Sequence, residues 1–426
     1  MFKFFKTKFF KGSLFLFASS TLTSAINYFY HLLLGRMLGP ADYGTLASLI
    51  SLTYLLGIPS AALSLVIMKF ISSFHGKKKF VNIYYFVHRL VGKLFRLEIF
   101  LAPCLLIASP LVAKFLHTGS FLTVFLIFAS SLIGVLSLVN NSALQGMLRF
   151  GCLSFLGIFS SLVKLLLSVL TVLIGWRVFG ASLSFFLTAL FGLALSRFFV
   201  GRVLRKPKAA VNLDVNFDKR ALVKYALPVL FSTAAFTSLY TTDIILAKHF
   251  LVETEAGFYA GLANLGKIVF FASGPIFSVM FPLISRAFER GKNYRKIFGT
   301  SFLVVLSISL AVVLSYFIFP ELMVKILYGD QYLPAARYLP LFGIFLGFYS
   351  LSYLTVNFFL SIREVAVVLF PVAAALVQIL AILFFHQSLS QLISVSIFVL
   401  GILLALLLLY YLFKIWPKKK ILNCFR

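Results

Sequence analysis

Acidic residues are scarce in this chain: 11 Asp and Glu among 426 residues, against 39 Lys and Arg, with charged side chains only 12% of the total. So few ionic groups cannot cover the aqueous surface of the two or three soluble domains that this length would otherwise make. Cysteine is rare too. Cys104, Cys152 and Cys424 are scattered without metal-ligand or redox spacing, which argues against a disulfide framework or a zinc module. His31, His75, His88, His117, His249 and His386 lie far apart, and no metal or nucleophile motif joins them. Also missing are the segments of about ten residues, alternating in polarity, that a membrane β-barrel needs.

What the chain has in excess is apolar length. It is 61% hydrophobic, and its mean hydropathy is +1.04. Apolar runs of about 20 residues recur throughout, each long enough to cross a hydrocarbon layer of roughly 30 Å. The fold class expected is an all-α polytopic membrane protein. Twelve spans are predicted, at about 12–34, 45–68, 95–113, 121–140, 153–174, 179–201, 226–250, 257–281, 298–319, 338–360, 365–385 and 391–413. "FVHRLVGKLFRLEIF" (86–100) reads as a basic amphipathic lead-in to the third. The opening "MFKFFKTKFFKG" looks like the front of a signal peptide, but the longer apolar run behind it favours a retained first helix.

A net charge of +28 invites a nucleic-acid reading, which the positions of the charges oppose. With the N-terminus inside, 31 of the 39 basic residues fall in inner segments. The outer loops hold five, Arg36, Lys114, Arg177, Lys325 and Arg337, and three more, Lys164, Lys248 and Lys267, fall inside predicted spans. This is the positive-inside pattern, and it predicts both termini in the cytoplasm of a cell (plasma or inner) membrane protein. Attraction to anionic membrane lipids follows as a secondary effect, and no nucleic-acid partner is expected.

The longest internal polar stretch, "GRVLRKPKAAVNLDVNFDKRALVKY" (201–225), follows the sixth span. It predicts an N-terminal six-helix bundle over 1–200, a basic cytoplasmic linker over 201–225, and a C-terminal six-helix bundle with a basic tail over 226–426. An internal repeat fits that division. "LFASSTLTS" (16–24) aligns with "LFSTAAFTS" (230–238), "GTLASLISL" (44–52) with "GFYAGLANL" (257–265), and "MKFIS" (68–72) with "FPLIS" (281–285). Six spans return the chain to the same side, so the halves would be parallel repeats related by a pseudo-two-fold axis. The outer loops are too short to fold into a catalytic domain, so no enzyme, catalytic residue or metal site is expected.

Ionisable groups within spans cost about 2.5–3.5 kcal/mol each and usually face a partner or a wet cavity. At 1.5 Å per residue, Asp243 lies roughly 12 Å below the outer end of its span, and Lys164 and Lys267 roughly 16 Å. The midplane is about 15 Å down. Two readings stay open: a structural ion pair between Asp243 and Lys267, or a polar cavity in which Lys164 and Lys267 attract an anionic substrate while Asp243 balances a lysine or takes up a coupling cation. Asn27, Thr241, Thr242, Asn264 and Gln378 share that depth, each as helix-helix glue or as ligand contact. Lys248, nearer the outer end, is expected to snorkel to the interface. "LLGIPSAALS" (55–64) and "FASGPIFSVM" (271–280) put Gly57, Pro59, Gly274 and Pro275 near the middle of two spans, as hinges or as ordinary membrane proline kinks.

Three stretches resemble the Wzx-type polysaccharide flippases of the MATE-like (MOP) superfamily. They are "GRMLGPADYG" (35–44), "ALQGMLRFG" (143–151) and "TTDIILAKHFLVETEAGFYAGLANLGKIV" (241–269), and the likeness runs along the whole chain. The resemblance implies two six-helix bundles forming a V and alternating access to a central cavity. Its implied cargo is a polyprenyl-diphosphate-linked oligosaccharide, flipped from the inner to the outer leaflet for cell-surface polysaccharide biosynthesis. Partners would be that lipid-linked glycan, membrane lipids and other polysaccharide-assembly membrane proteins. No cofactor is implied beyond a coupling ion, proton or sodium. Family cavities often carry more arginine than this one, where only lysines lie deep. The alternative is a cation-coupled drug or metabolite antiporter of the same superfamily; a third class, a glycan ligase or polymerase, is opposed by the short loops. In the first hairpin, Gly39 and Pro40 make the turn and Asp42 falls in the first turn of span two, where a carboxylate suits the helix dipole. Arg36 can pair with Asp42 or reach a lipid phosphate at the cavity mouth, with Tyr43 at headgroup level.

Overall fold

The computed structural model describes residues 8–204 and 219–415, and no strand occurs among them. Fourteen α-helices and two short 3-10 segments make up this structure. By residue contacts the chain divides into two units, Met1–Leu230 and Phe231–Arg426. The core of the expected linker, 205–218, and the C-terminal tail, 416–426, lie outside the described residues.

In the first unit, α1 (Lys8–Leu56) holds the first span and half of the second, bent at Gly39. Gly39 has φ 76°, a left-handed value that favours glycine, and Pro40 then restarts the helix with its φ preset. The second span continues as α2 (Ile58–Gly76), followed by α3 (Phe80–Phe115), α4 (Phe121–Gly146), α5 (Phe150–Leu173) and α6 (Arg177–Val203). The amphipathic lead-in and the third span are one helix, α3. α4 is the hub, packing on α2, α3 and α6. Gly146 at its end shows why. A methyl group there would stand 2.9 Å from Ile71 Cβ and 3.2 Å from the Met68 carbonyl. Small residues let membrane helices approach this closely, because lipid provides no hydrophobic drive to hold them together. Gly146→Ala is therefore expected to destabilise the purified protein by about 1–3 kcal/mol through overpacking, read as a lower thermal midpoint.

The boundary between the units falls within α7 (Lys219–Leu239), and the second unit contains its end from Phe231, then α8 (Thr242–Phe250), α9 (Glu253–Glu289), α10 (Tyr294–Ile318) and α11 (Pro320–Tyr328). A 3-10 segment, Asp330–Tyr338, leads into α12 (Leu339–Ser361), and a second, Val365–Val368, into α13 (Leu369–Phe384); α14 (Leu389–Ile415) closes the order. α12 packs on α9, α10 and α14. It is apolar around its whole circumference, "LFGIFLGFYSLSYLTVNFF", as a central helix must be. Outward-facing side chains are apolar in both units: Phe100, Ile107 and Leu111 in the first, Phe384, Phe398 and Phe413 in the second, are each at least 70% exposed. A surface of that kind is stable only against lipid. Ten helical segments are long and apolar enough to cross a membrane among the described residues, and α1 and α3 contain the rest of the twelve expected spans. The protein is a multi-pass membrane protein.

Turns in the two halves echo each other. Lys78 and Gly291, after the second span of each half, and Leu148 and Arg363, after the fourth, all adopt positive φ. Each helix end closes with a backbone bond reaching back five residues, Lys79 N to Phe74 O, Lys292 N to Ala287 O, Arg149 N to Leu144 O and Glu364 N to Phe359 O. That bond satisfies a carbonyl left over at the helix terminus.

Candidate functional site

Several of the sequence-predicted residues gather in two places, one within each unit. In the first, Lys164 on α5 donates to Asn27 Oδ1 on α1, and Asn27 Nδ2 in turn donates to the Thr23 carbonyl at 2.9 Å. The Lys164 ammonium lies over two rings, 4.6 Å from the Tyr30 centroid and 5.1 Å from that of Phe185. All these partners are neutral, so the positive charge is solvated by dipoles and π-faces and remains uncancelled. Lys164 also borders an open cavity of about 660 Å³ lined by helices of this unit. Its wall contains Ser60, Ser130, Ser131, Ser137 and Ser160 together with Asn141. Sequence depth pointed to Lys164 and Asn27, but serines are too common in membrane helices for the hydroxyl wall to stand out beforehand.

In the second unit the seventh span is broken, which the sequence reading missed. α7 stops at Leu239, and α8 begins at Thr242. Between them Tyr240 N and Thr241 N bond only three residues back, to Thr237 O at 3.4 Å and Ser238 O at 3.2 Å. The break frees the Leu239 carbonyl, which accepts from Gln378 Nε2 of α13 at 3.3 Å, and the same amide donates to Ser396 Oγ of α14 at 2.9 Å. Asp243 thereby falls in the first turn of α8, where the helix dipole favours a carboxylate. It is 1% exposed and accepts from Tyr259 Oη of α9 at 2.8 Å and from the Ile244 amide at 2.8 Å. Tyr259, sixteen residues on, was not singled out in the sequence, because a tyrosine in an aromatic-rich span carries no distinguishing signal.

Lys267 stands over Tyr240, 5.1 Å from the ring centroid, beside the break. No direct ion pair joins it to Asp243 among the described residues. Tyr240 belongs to an aromatic group with Phe236, Tyr349, Tyr353 and Phe270, whose ring centroids are 5.1–6.3 Å apart in successive contacts. The pairs Phe236/Tyr240 and Tyr349/Tyr353, each four residues apart, were the available signal. Asn264 is engaged elsewhere: its Nδ2 donates to Tyr328 Oη at 3.1 Å.

Three expectations need revision. Lys248 does not snorkel. It is 2% exposed, with Nζ 3.9 Å from Glu253, because the next helix offers carboxylates in its first turn. Tyr43 is buried, its hydroxyl 3.2 Å from His31 Nδ1. The paired interruptions are unequal as well. At Gly57 and Pro59 one helix ends and another begins, since Pro59 has no N–H to offer Leu55. Around Gly274 and Pro275, α9 runs unbroken.

At the hairpin, Asp42 pairs with Arg177, the first residue of α6, at 2.6 Å, while Arg36 is exposed at the end of the first limb. The Arg177 side chain is 71% exposed, so screening by water limits the pair to less than about 1 kcal/mol. Arg177→Ala is expected to leave the thermal midpoint nearly unchanged, and a large drop would contradict the exposed geometry. No group of three or more His, Cys, Asp or Glu able to hold a metal occurs among the described residues.

The family model for polysaccharide biosynthesis proteins matches residues 33–337, and the chain belongs to that family. Among solved structures the fold is similar to an inward-facing multidrug resistance MATE family transporter of the MOP superfamily. There the TM-score is 0.67 at 14% identity, over 94% of this chain and 95% of that one. It is also similar to the outward-facing form of such a transporter, with TM-score 0.61 at 15% identity over 97% and 98%. For the lipid II flippase MurJ, inward closed, the TM-score is 0.61 at 13% identity over 94% and 87%. No curated protein matches.

Proposed function

We propose that this protein is a flippase that carries a polyprenyl-diphosphate-linked oligosaccharide from the inner to the outer leaflet by alternating access, supplying cell-surface polysaccharide synthesis. The observation that carries the reading is Lys164: an uncancelled cation bordering a serine-rich cavity within a chain of the polysaccharide biosynthesis family. A lipid-linked oligosaccharide presents negative charge, on its diphosphate or on an acidic sugar, together with hydroxyl groups. The basic bias of the inner loops supports a cell-membrane protein with both termini in the cytoplasm. Asp243, with Gln378 and Ser396 at the neighbouring helix break, is the site for a coupling proton or sodium ion, since broken helices gather carbonyls and carboxylates for that purpose. Arg36 and Asp42 stand at the mouth, and Gly57, Pro59, Gly274 and Pro275 are the positions where helices bend during the cycle.

Leaflet-resolved detection of lipid-linked glycan in proteoliposomes with and without the protein tests this directly. Protein-dependent appearance of the glycan in the far leaflet is the expected result, and equal rates in empty liposomes would refute it. A second reading, cation-coupled export of drugs or metabolites, is favoured by the buried Asp243 alone. It requires lowered accumulation of a cationic dye in cells, which like-charge repulsion at Lys164 and Lys267 opposes.

A further inference from the structure

The cavity beside Lys164 is more specific than a positive surface. Two polar atoms on its bordering residues, Asn141 Oδ1 on α4 and Thr188 Oγ1 on α6, are shielded from solvent and have no hydrogen-bond partner. Orphaned polar groups of this kind are uncommon and unfavourable, and both belong to residues that line the cavity. Nearby, Ser130, Ser131 and Ser137 each donate to a backbone carbonyl one turn back, at 2.8, 3.0 and 3.1 Å. Their protons are committed, so their oxygens are left as acceptors. Phe185 adds one flat apolar face, and Gly134 leaves the wall open, with nothing within 4 Å of where its Cβ would be. Hydroxyl acceptors, one amide, one aromatic face and one cation suit a polyhydroxylated ring. The volume of about 660 Å³ lies within the roughly 300–1,000 Å³ of small-molecule sites.

Charge narrows the ligand further. Among the described residues, Lys164 is the one charged side chain in the cavity wall, and no acid lines it. A single cation matches a single carboxylate, whereas a diphosphate carries more charge than one lysine offsets.

We infer that the first unit holds a sugar subsite in which Asn141, Thr188 and the serine oxygens read ring hydroxyls and Lys164 selects a sugar bearing one carboxylate, so that the glycan and the diphosphate are bound at different places. This rests on the flippase reading, and deepens it by naming the sugar class and the residues that read it. Gly134→Leu puts a side chain into the same subsite, since nothing lies within 4 Å of where its Cβ would be.

The test measures binding of three probes to the full chain in lipid nanodiscs: polyprenyl diphosphate, polyprenyl-diphosphoryl-glucose and polyprenyl-diphosphoryl-glucuronate. Wild type is expected to prefer the glucuronate lipid over the glucose lipid by about tenfold or more, as charge-assisted bonds do, and the glucose lipid over the bare diphosphate. Lys164→Gln should erase the first preference alone. Asn141→Leu with Thr188→Val should erase the second, and Gly134→Leu should reduce all three lipids to the affinity of the bare one. Equal wild-type affinity for the three, or variants that keep both preferences, would overturn the subsite while leaving flipping of any of these lipids as support for the transport reading. Failure of all three lipids to bind the folded protein would overturn both.

Discussion

Replacing Lys164 and Lys267 together with alanine is expected to bring translocation down to the protein-free background while the protein still folds and inserts. Neither lysine is within ion-pair distance of an acid among the described residues. Lys164 leans on Asn27, Tyr30 and Phe185, and Lys267 on Tyr240, all of them neutral. Removing the ammonium groups therefore strands no buried countercharge in direct contact, and the desolvation cost of two cations disappears with them. What is lost is attraction for an anionic cargo. A close charge pair with a bound partner contributes about 2–5 kcal/mol, so the loss of two should slow flipping by about a thousandfold or more. Flipping of fluorescent lipid-linked sugar by the double variant in proteoliposomes, at a rate equal to wild type, would remove the lysines from the transport path. Normal membrane insertion and gel-filtration behaviour of the same preparation separates that outcome from misfolding.

Asp243→Asn should remove the response to an ion gradient. The carboxylate is almost fully buried, at a helix start created by the break after Leu239, with one donor from Tyr259 and one from its own turn. A buried ionised carboxylate is unfavourable by several kcal/mol unless a cation or proton joins it. Asparagine keeps the shape and can accept the Tyr259 hydrogen bond, but it has no charge to offset. Coupling free energies of 1–3 kcal/mol correspond to about 5–150-fold changes, so wild-type transport should rise by that order when a proton or sodium gradient is imposed. The variant should run at one rate with and without either gradient. Retention of the wild-type response would take Asp243 out of the coupling step.

Ten of the twelve expected spans fall on helices long and apolar enough to cross a membrane among the described residues, and they could be read from apolar length because the bilayer fixes how long a helix must be. The glycines in the resembling motifs also acquire physical meaning. Gly146 of "ALQGMLRFG" admits Ile71, and Gly261 of "FYAGLANLG" has the Tyr332 ring 2.7 Å from where its Cβ would be. Depth along the helix singled out Lys164, Asn27, Asp243 and Gln378, which are buried or half-buried in the structure, yet it could not say which of them touch. Asn264 was grouped with them by depth, but rotation about the helix axis turns it toward Tyr328. The break at Tyr240 and Thr241 was illegible for a different reason. No proline or glycine marks it, and what holds it open is Gln378, supplied by a helix far along the chain. Conversely, the Gly274–Pro275 pair advertises an interruption that α9 does not make, since a membrane helix can absorb a proline by small local adjustments.

The tie between Gln378 and the Leu239 carbonyl has a consequence for biogenesis. The two residues are 139 positions apart, so the ribosome completes and delivers the seventh span well before its partner exists. An unpaired carbonyl facing lipid is unfavourable by several kcal/mol. The newly inserted segment should therefore enter the bilayer as one unbroken helix, and unwind at Tyr240 only when the eleventh span docks beside it.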